Sequence, residues 1–285
     1  MEKVKHENNP SSIKYYVKKY FITHGDSYKN KLVVDFPAGN GVTSNILKNI
    51  GANPIPLDLF TEYFEVEGLS CIRANIREGL PLADKSADAL VCQEGIEHFS
   101  DQYQALQEFN RVLKSKGTLL ITTPNYSNLR ARLSYLLSES ERFNSTMPPN
   151  ELDSIWMTRT EITNEIYFGH IFLIGIQKLR VLAKLTGFKI KRCHSTKTKS
   201  TSLLLLPFLY PFIYLSNLIA YRKNLRKNKD YDRETVKAVY DEIFRLSINL
   251  KILTGSHLMV EFEKEQDFDK VAQGLRSQHK EFGVT

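Results

Sequence analysis

Cysteine is scarce in this chain and badly placed for chemistry. Cys71, Cys92 and Cys193 are the three in 285 residues, and none forms a C-x-x-C pair. Such a set makes neither a disulfide framework nor a zinc or iron–sulfur site, and it fits a reducing cytosol best. The opening stretch MEKVKHENNPSS has no apolar run, so no secretory leader is expected. No internal repeat is visible. Acidic residues are missing from Lys189 to Lys229, a stretch that carries ten basic ones. Those ten, taken from the 39 Lys and Arg, leave 29 basic against 32 acidic residues elsewhere. The net charge of +7 is therefore one basic block on a mildly acidic protein. A uniformly basic nucleic-acid binder is disfavoured, because its charge should follow a binding face.

What is present is an ordinary globular composition, 42% hydrophobic and 25% charged, on a chain long enough for a sizeable core. Ile13, Tyr16, Val17, Tyr20 and Phe21 recur at helical spacing and predict a short amphipathic helix. Short apolar runs then alternate with helical segments. Strands are expected at Lys31–Asp35, Asn53–Asp58, Ser70–Ile76, Ser86–Cys92 and Thr118–Thr122, with helices at Thr43–Ile50 and Gln102–Lys114. After Pro124-Asn125 the pattern lapses for some 40 residues, as lids and substrate-binding elements do. It resumes with a helix at Gly175–Thr186, a strand at Phe188–Cys193, a polar helix near Glu234–Leu250 and a last strand, His257–Lys264. This alternation argues for a parallel α/β sheet. The expected units are an N-terminal helical cap (1–30) and a core (31–195) with a lid insertion at about 126–168. An apolar and basic helical insertion (196–254) and a last strand with a polar tail (255–285) complete them.

Asp35-Phe36-Pro37-Ala38-Gly39-Asn40-Gly41 leaves the first strand and opens a helix. Ligands of open parallel sheets sit beyond the carboxyl ends of the strands, where this turn lies. Gly39 and Gly41 let the backbone approach a ligand, and Asp58, 19 residues beyond Gly39, could accept both hydroxyls of a ribose. A dinucleotide site wants G-x-G-x-x-G aimed at a pyrophosphate. Here the third glycine is missing, and the acid Asp35 would repel a phosphate. The turn suits a ligand with an amino or sulfonium group.

These residues resemble the class I S-adenosylmethionine (SAM)-dependent methyltransferases, in the branch of the ubiquinone and menaquinone methyltransferases. The family pattern D-x-G-x-G-x-G is similar to Asp35, Gly39 and Gly41, with Pro37 at the first glycine. Asp58 stands at the ribose-binding acid. Ala74-Asn75-Ile76 followed by Gly79-Leu80-Pro81-Leu82 resembles the adenine segment, with Asn75 where aspartate is commoner. Gln93-Glu94-Gly95-Ile96-Glu97-His98 resembles E-x-x-E-H, Leu113–Gly117 resembles L-K-P-G-G, and Gly169-His170, Leu182 and Gly187-Phe188 resemble the approach to the sixth strand. The resemblance covers roughly 31–125 and 169–193, plus the last strand.

It implies an α/β, Rossmann-like methyltransferase fold, a seven-stranded mostly parallel sheet with an antiparallel last strand. It implies SAM as cofactor, contacted by Asp35, Pro37, Gly39, Gly41, Asp58, Asn75, Ile76 and Gln93. His98, and His170 at the acceptor side, are the candidate catalytic residues, since an imidazole can deprotonate a hydroxyl acceptor. Glu94, Glu97 and His98 match a pattern associated with a divalent cation in quinone O-methyltransferases, but the signal is thin and no metal is expected. Trp156, Tyr126 and Phe168 are candidate pocket walls. The acceptor is expected to be a small, lipid-like or lipid-linked molecule, methylated on oxygen or carbon. CQEGIEH in place of a D/N-P-P-Y turn counts against an RNA or protein methyltransferase. A SAM-binding assembly protein without turnover is the reading from another class, kept open by Pro37 and Asn75.

Ser200 to Tyr221 holds 22 residues without a charge. As one helix they would reach about 33 Å, enough for a bilayer core. Pro207 and Pro211 are expected to interrupt it, leaving Phe212–Tyr221 at about 15 Å. A shallow element on an anionic membrane surface through 200–229 is expected, with the protein cytoplasmic and peripheral at the inner face. A core or dimer helix pair and a true span are the alternatives.

Overall fold

Alternate residues of the central strands point to opposite faces, and both faces are apolar, which calls for a helical layer on each side. The computed structural model of the chain describes residues 6–140, 148–151, 155–156 and 167–279. Strands β1 (Leu32–Asp35), β2 (Asn53–Asp58), β3 (Ile72–Arg73), β4 (Ala87–Gln93) and β5 (Leu113–Pro124) are parallel. β6 (Ile155–Trp156) and β7 (Tyr167–Phe168) form a separate antiparallel pair. β8 (Phe188–Cys193) and β9 (His257–Lys264) complete the main sheet. Its order is β3-β2-β1-β4-β5-β9-β8, with β9 antiparallel to both neighbours, as the sequence implied.

The helices are α1 (Ile13–Thr23), α2 (Gly25–Tyr28), α3 (Val42–Asn49), α4 (Gln102–Val112), α5 (Leu129–Ser138), α6 (Ile176–Leu185), α7 (Ser200–Leu225), α8 (Arg233–Ser247), α9 (Leu250–Thr254) and α10 (Phe268–Ser277). Val33, Ala89, Val91, Leu120 and Met259 face α1 and α3, meeting Val17, Phe21, Ile46 and Leu47. Their sequence neighbours Val34, Leu90, Cys92, Leu119, Ile121, Val260 and Phe262 face the opposite layer, with Phe109 of α4 and Leu179 of α6. Caps start the helices where short polar residues precede them. Ser12 accepts the N–H of Lys14, and Asp101 that of Gln104.

Four expectations are corrected. The third strand shrinks from 70–76 to Ile72–Arg73, because Asn75 turns the chain by accepting the N–H of Arg77. The lapse after Asn125 contains α5, started by Asn128 accepting the N–H of Ala131. The rest of the expected lid lies partly outside the described residues (141–147, 152–154 and 157–166), as does the side chain of Trp156. The polar tail carries α10, whose Val271 is buried and which packs on α4 and α6. Finally, Pro207 and Pro211 do not interrupt α7, which is one 26-residue helix with both inside it. The two rings stand four residues apart on the outward face. The hydrogen bonds they remove are thus confined to one side, while the other side packs on α8.

β9 also carries a buried cation. Lys264 is 1% exposed, and its Nζ donates to the carbonyls of Asn110 (2.7 Å) and Leu113 (2.9 Å) at the end of α4, and pairs with Asp267 at 2.8 Å. A cation suits the negative end of a helix, and the carbonyls would otherwise lack donors. We expect Lys264→Met to lower stability by about 2–3 kcal/mol, the scale of lost charged hydrogen bonds. Urea denaturation measures it; an unchanged midpoint would show that the lysine does not hold the end of α4.

Candidate active site

The strand order reverses between β1 and β4, so the loops leaving their carboxyl ends diverge and open a crevice. A cavity of about 1040 Å³ lies there, walled by loops after β1, β2, β3 and β4, by the start of α1 and by β7. That exceeds the usual volume for one ligand, roughly 300–1000 Å³, and leaves room for a cofactor with an acceptor.

The turn after β1 is pinned from two sides. The N–H of Phe36 donates to Val91 O on β4, and that of Ala38 to Leu57 O on β2. Asp58, buried at the end of β2, accepts the N–H of Gly39 through Oδ2 (2.7 Å) and that of Phe60 through Oδ1 (2.8 Å). Gly41 has φ 84°, and a Cβ on it would lie 2.4 Å from Val66, so only glycine can end this turn. Thr43, in the first turn of α3, donates to Gln93 Oε1 at 2.8 Å and ties that helix to β4.

Asp35 is 1% exposed. Its Oδ2 accepts from Ser44 Oγ at 2.6 Å, while its Oδ1 has no partner among the described residues. Burial pushes its carboxyl up to about 7, against the opposing hydrogen bonds from Ser44. At the end of β4, Glu94 holds a left-handed φ of 51°, which a residue other than glycine seldom adopts. Its N–H donates to Thr122 O (3.0 Å). Gly95 follows because Pro37 fills the space a side chain would need, its Cδ lying 2.3 Å from a Cβ placed there. Pro37, the departure from the family pattern, thereby packs the first turn onto the fourth.

Glu97 is fully buried, bonded from Thr123 Oγ1 at 3.0 Å, and burial together with Glu94 raises its carboxyl well above the usual range. His98 lies on the cavity wall with Nδ1 2.8 Å from Phe168 O. His170 is exposed, its ring 5.0 Å from that of His98. Glu97, His98 and His170 bring one potential metal-ligating atom each within 4.8 Å of one another. Protein groups already engage Glu97 Oε2 and His98 Nδ1.

Of the residues singled out from sequence, Pro37, Gly39, Asp58, Asn75, Ile76, Gln93 and His98 line the cavity together. Asp35 and Gly41 sit behind the wall, and His170 stands outside it, in contact with His98. The carboxamide of Asn75 is engaged by Arg77 N–H and by Glu78 Oε1 (2.9 Å), so it serves the local turn. Phe168 lines the cavity, whereas Tyr126 packs on Tyr135. Sequence reasoning missed Thr43, Phe60, Arg77 and Lys14 in the wall. Thr43 had a signal, a hydroxyl in the first turn of the helix after Gly41; the others had none.

These residues fit a cationic nucleoside. Carboxylates outnumber cations at the ends of β1, β2 and β4, and Asp58 among them lines the cavity. Residues 34–121 match a family model described as a methyltransferase domain. A probable S-adenosylmethionine-dependent methyltransferase of Mycolicibacterium smegmatis is 33% identical over 97 residues, covering 33% of this chain and 38% of that one. A ubiquinone biosynthesis O-methyltransferase of Xanthomonas campestris is 23% identical over 158 residues, 49% of this chain and 66% of the relative. A solved SAM-dependent methyltransferase of Archaeoglobus fulgidus shares the fold, with TM-score 0.51 and 14% identity over 90% of this chain and 97% of that one. The matched segment thus spans little more than a third of the first of these relatives. Residues 34–121 thus form a methyltransferase-like domain of the class I fold, and relatives that match it are named as SAM-dependent.

Two expectations follow. Asp58→Ala should weaken SAM binding by about 1.5–3 kcal/mol, the scale of charge-assisted hydrogen bonds; calorimetry giving the wild-type affinity would remove Asp58 from the cofactor site. Asp35 has a folded pKa above its unfolded value of about 3.9, so its neutral form favours the fold. That contribution is complete at low pH and is lost as pH rises from the ordinary carboxylate range through about 7. Asp35→Asn should therefore gain stability over the wild type at pH 8, on the order of 3 kcal/mol, and little at pH 4. Equal differences at both pH values would mean that Asp35 is ionised throughout.

Proposed function

We propose that this chain transfers a methyl group from SAM to a hydroxyl, or to a carbon acidified by its neighbours, on a small, apolar, lipid-like or lipid-linked acceptor. His98 is the base that takes the acceptor's proton. The observation that carries this is the hydrogen bond between His98 Nδ1 and Phe168 O at 2.8 Å, on the cavity wall. A carbonyl only accepts, so Nδ1 holds the proton, and the lone pair of the neutral ring lies on Nε2. The tautomer follows from the acceptor chemistry of the carbonyl.

Bound SAM supplies a methyl group activated by its sulfonium. The protein's part is placement, which brings the acceptor atom into line with the methyl–sulfur bond. Asp58, Thr43 and Gln93 hold the turns on one side. Phe36, Phe60, Tyr63, Phe99, Tyr167 and Phe168 give the cavity lining an aromatic character suited to a ring or prenyl group. The names of the ubiquinone relatives support an acceptor of that kind. Three free cysteines support a cytoplasmic site of action.

The test compares lipid and quinone extracts, by mass spectrometry, from cells that have or lack the gene or carry His98→Gln. We expect a species heavier by one CH2 only with the wild-type gene. Purified His98→Gln should bind SAM normally and turn over about 10²–10⁴ times more slowly. Full turnover in that variant would dismiss His98 as the base. Tight SAM binding with no product in any extract would favour a binding protein without turnover.

A further inference from the structure

Among the described residues, the longest helix has no partner on one side. Leu204, Phe208 and Phe212 of α7 are 70%, 68% and 73% exposed, and Leu215 and Ile219 are more than half exposed. They recur at intervals of three and four residues, so they share one face, which Pro207 and Pro211 also occupy. No charge interrupts it from Ser200 to Tyr221. In water, such a contiguous apolar strip signals a binding surface.

Its ends and its back define what it binds. Lys197 and Lys199 precede the strip, and Arg222, Lys223, Arg226, Lys227 and Lys229 follow it, with no acid among them. The opposite side of α7 rests on α8, through Tyr214 and Tyr221 against Phe244 and through Tyr221 Oη donating to Asp241 at 2.7 Å. α8 carries Arg233, Glu234, Lys237, Asp241, Glu242 and Arg245 and belongs in water. The start of α7 is rooted in the domain, where Lys199 N–H bonds Thr254 O at 2.8 Å and Ser202 Oγ accepts Arg130 N–H at 3.2 Å. After α7, α8 brings the chain back, its Ile243 O accepting from Gln177 Nε2 of α6 at 2.9 Å. At 1.5 Å per residue α7 is about 39 Å long, yet α8, which brings the chain back, is too charged to cross hydrocarbon.

We infer that α7 lies in the plane of an anionic bilayer surface, its outward face sunk among the acyl chains and its basic ends against lipid headgroups, with α8 on the water side. A second copy of the chain fits the strip less well. Whether two α7 helices met parallel or antiparallel, a basic end would face a basic end, whereas anionic lipid supplies the opposite charge at both. An apolar face plus flanking cations provides the two signals that stable peripheral attachment needs. α7 is rooted beside Asn128, just past the carboxyl end of β5, at the same end of the sheet as the cavity. The inference stands on α7 and does not rest on the methyl-transfer reading.

The test is flotation of the purified 285-residue chain with phosphatidylcholine vesicles, alone or with an equimolar share of phosphatidylglycerol. The wild type should float with the mixed vesicles and far less with the neutral ones. Phe208→Glu/Phe212→Glu, at two exposed positions, should lose about tenfold or more of that partition while keeping the wild-type melting temperature and SAM affinity. Phe212→Trp, in a Trp156→Phe background, should be quenched by lipids brominated near the headgroup end of the chain. The inference is overturned if the wild type stays unbound with anionic vesicles, or if the double variant floats equally well. A wild-type dimer that the double variant converts to monomer would also overturn it, in favour of a second copy.

Discussion

The carboxylate of Asp58 accepts the N–H of Gly39 through one oxygen and that of Phe60 through the other, and the cavity depends on this clasp. It joins the turn leaving β1 to the loop leaving β2, two segments that the sheet alone would leave to diverge. A buried carboxylate with both oxygens hydrogen-bonded is stable where an unpartnered one would not be. The same group lines the crevice, so one residue both shapes it and presents a carboxylate to it. Thr43 with Gln93, and Pro37 on Gly95, repeat the device at the neighbouring strand. Asp35 is the contrast. Burial without a full set of partners leaves its carboxyl titrating at about 7 rather than in the usual acidic range.

A carbonyl sets the chemistry on the far wall. Phe168 belongs to β7, remote in sequence from the fourth strand, yet its oxygen decides which nitrogen of His98 carries the proton. The segment expected to act as a lid thus contributes to the site through its backbone as well as its aromatic rings. The basic block, for its part, separates cleanly from this site. Its cations flank an apolar helix that leaves the domain at the edge of the sheet, which is where a membrane would add substrate access without entering the cofactor pocket.

Much of the fold was legible because its signals are local. β2, β8 and β9 have the bounds expected from their apolar runs, and the glycine turn with Asp58 points to the site through spacing alone. The errors have physical reasons. β3 shortens because an asparagine side chain competes with the ladder at Asn75. α10 escaped notice because its segment is polar on average, although Phe268, Val271 and Leu275 fall at helical spacing. α7 defied its prolines because both are exposed, a fact of packing and not of composition. In the site, Gly39, Asp58 and His98 were readable from motif. The position of Asp35 behind the wall, the local use of Asn75 and the outlying place of His170 depend on side-chain geometry.

We place bound SAM in the crevice between β1 and β4. Hydrogen-exchange mass spectrometry with and without SAM tests it most directly, since it reports where the ligand orders the backbone. SAM should slow exchange in peptides covering 36–44, 58–63 and 93–99 and leave α7 and α8 unaffected. Unchanged exchange in those three segments at saturating SAM, or protection centred elsewhere, would contradict it.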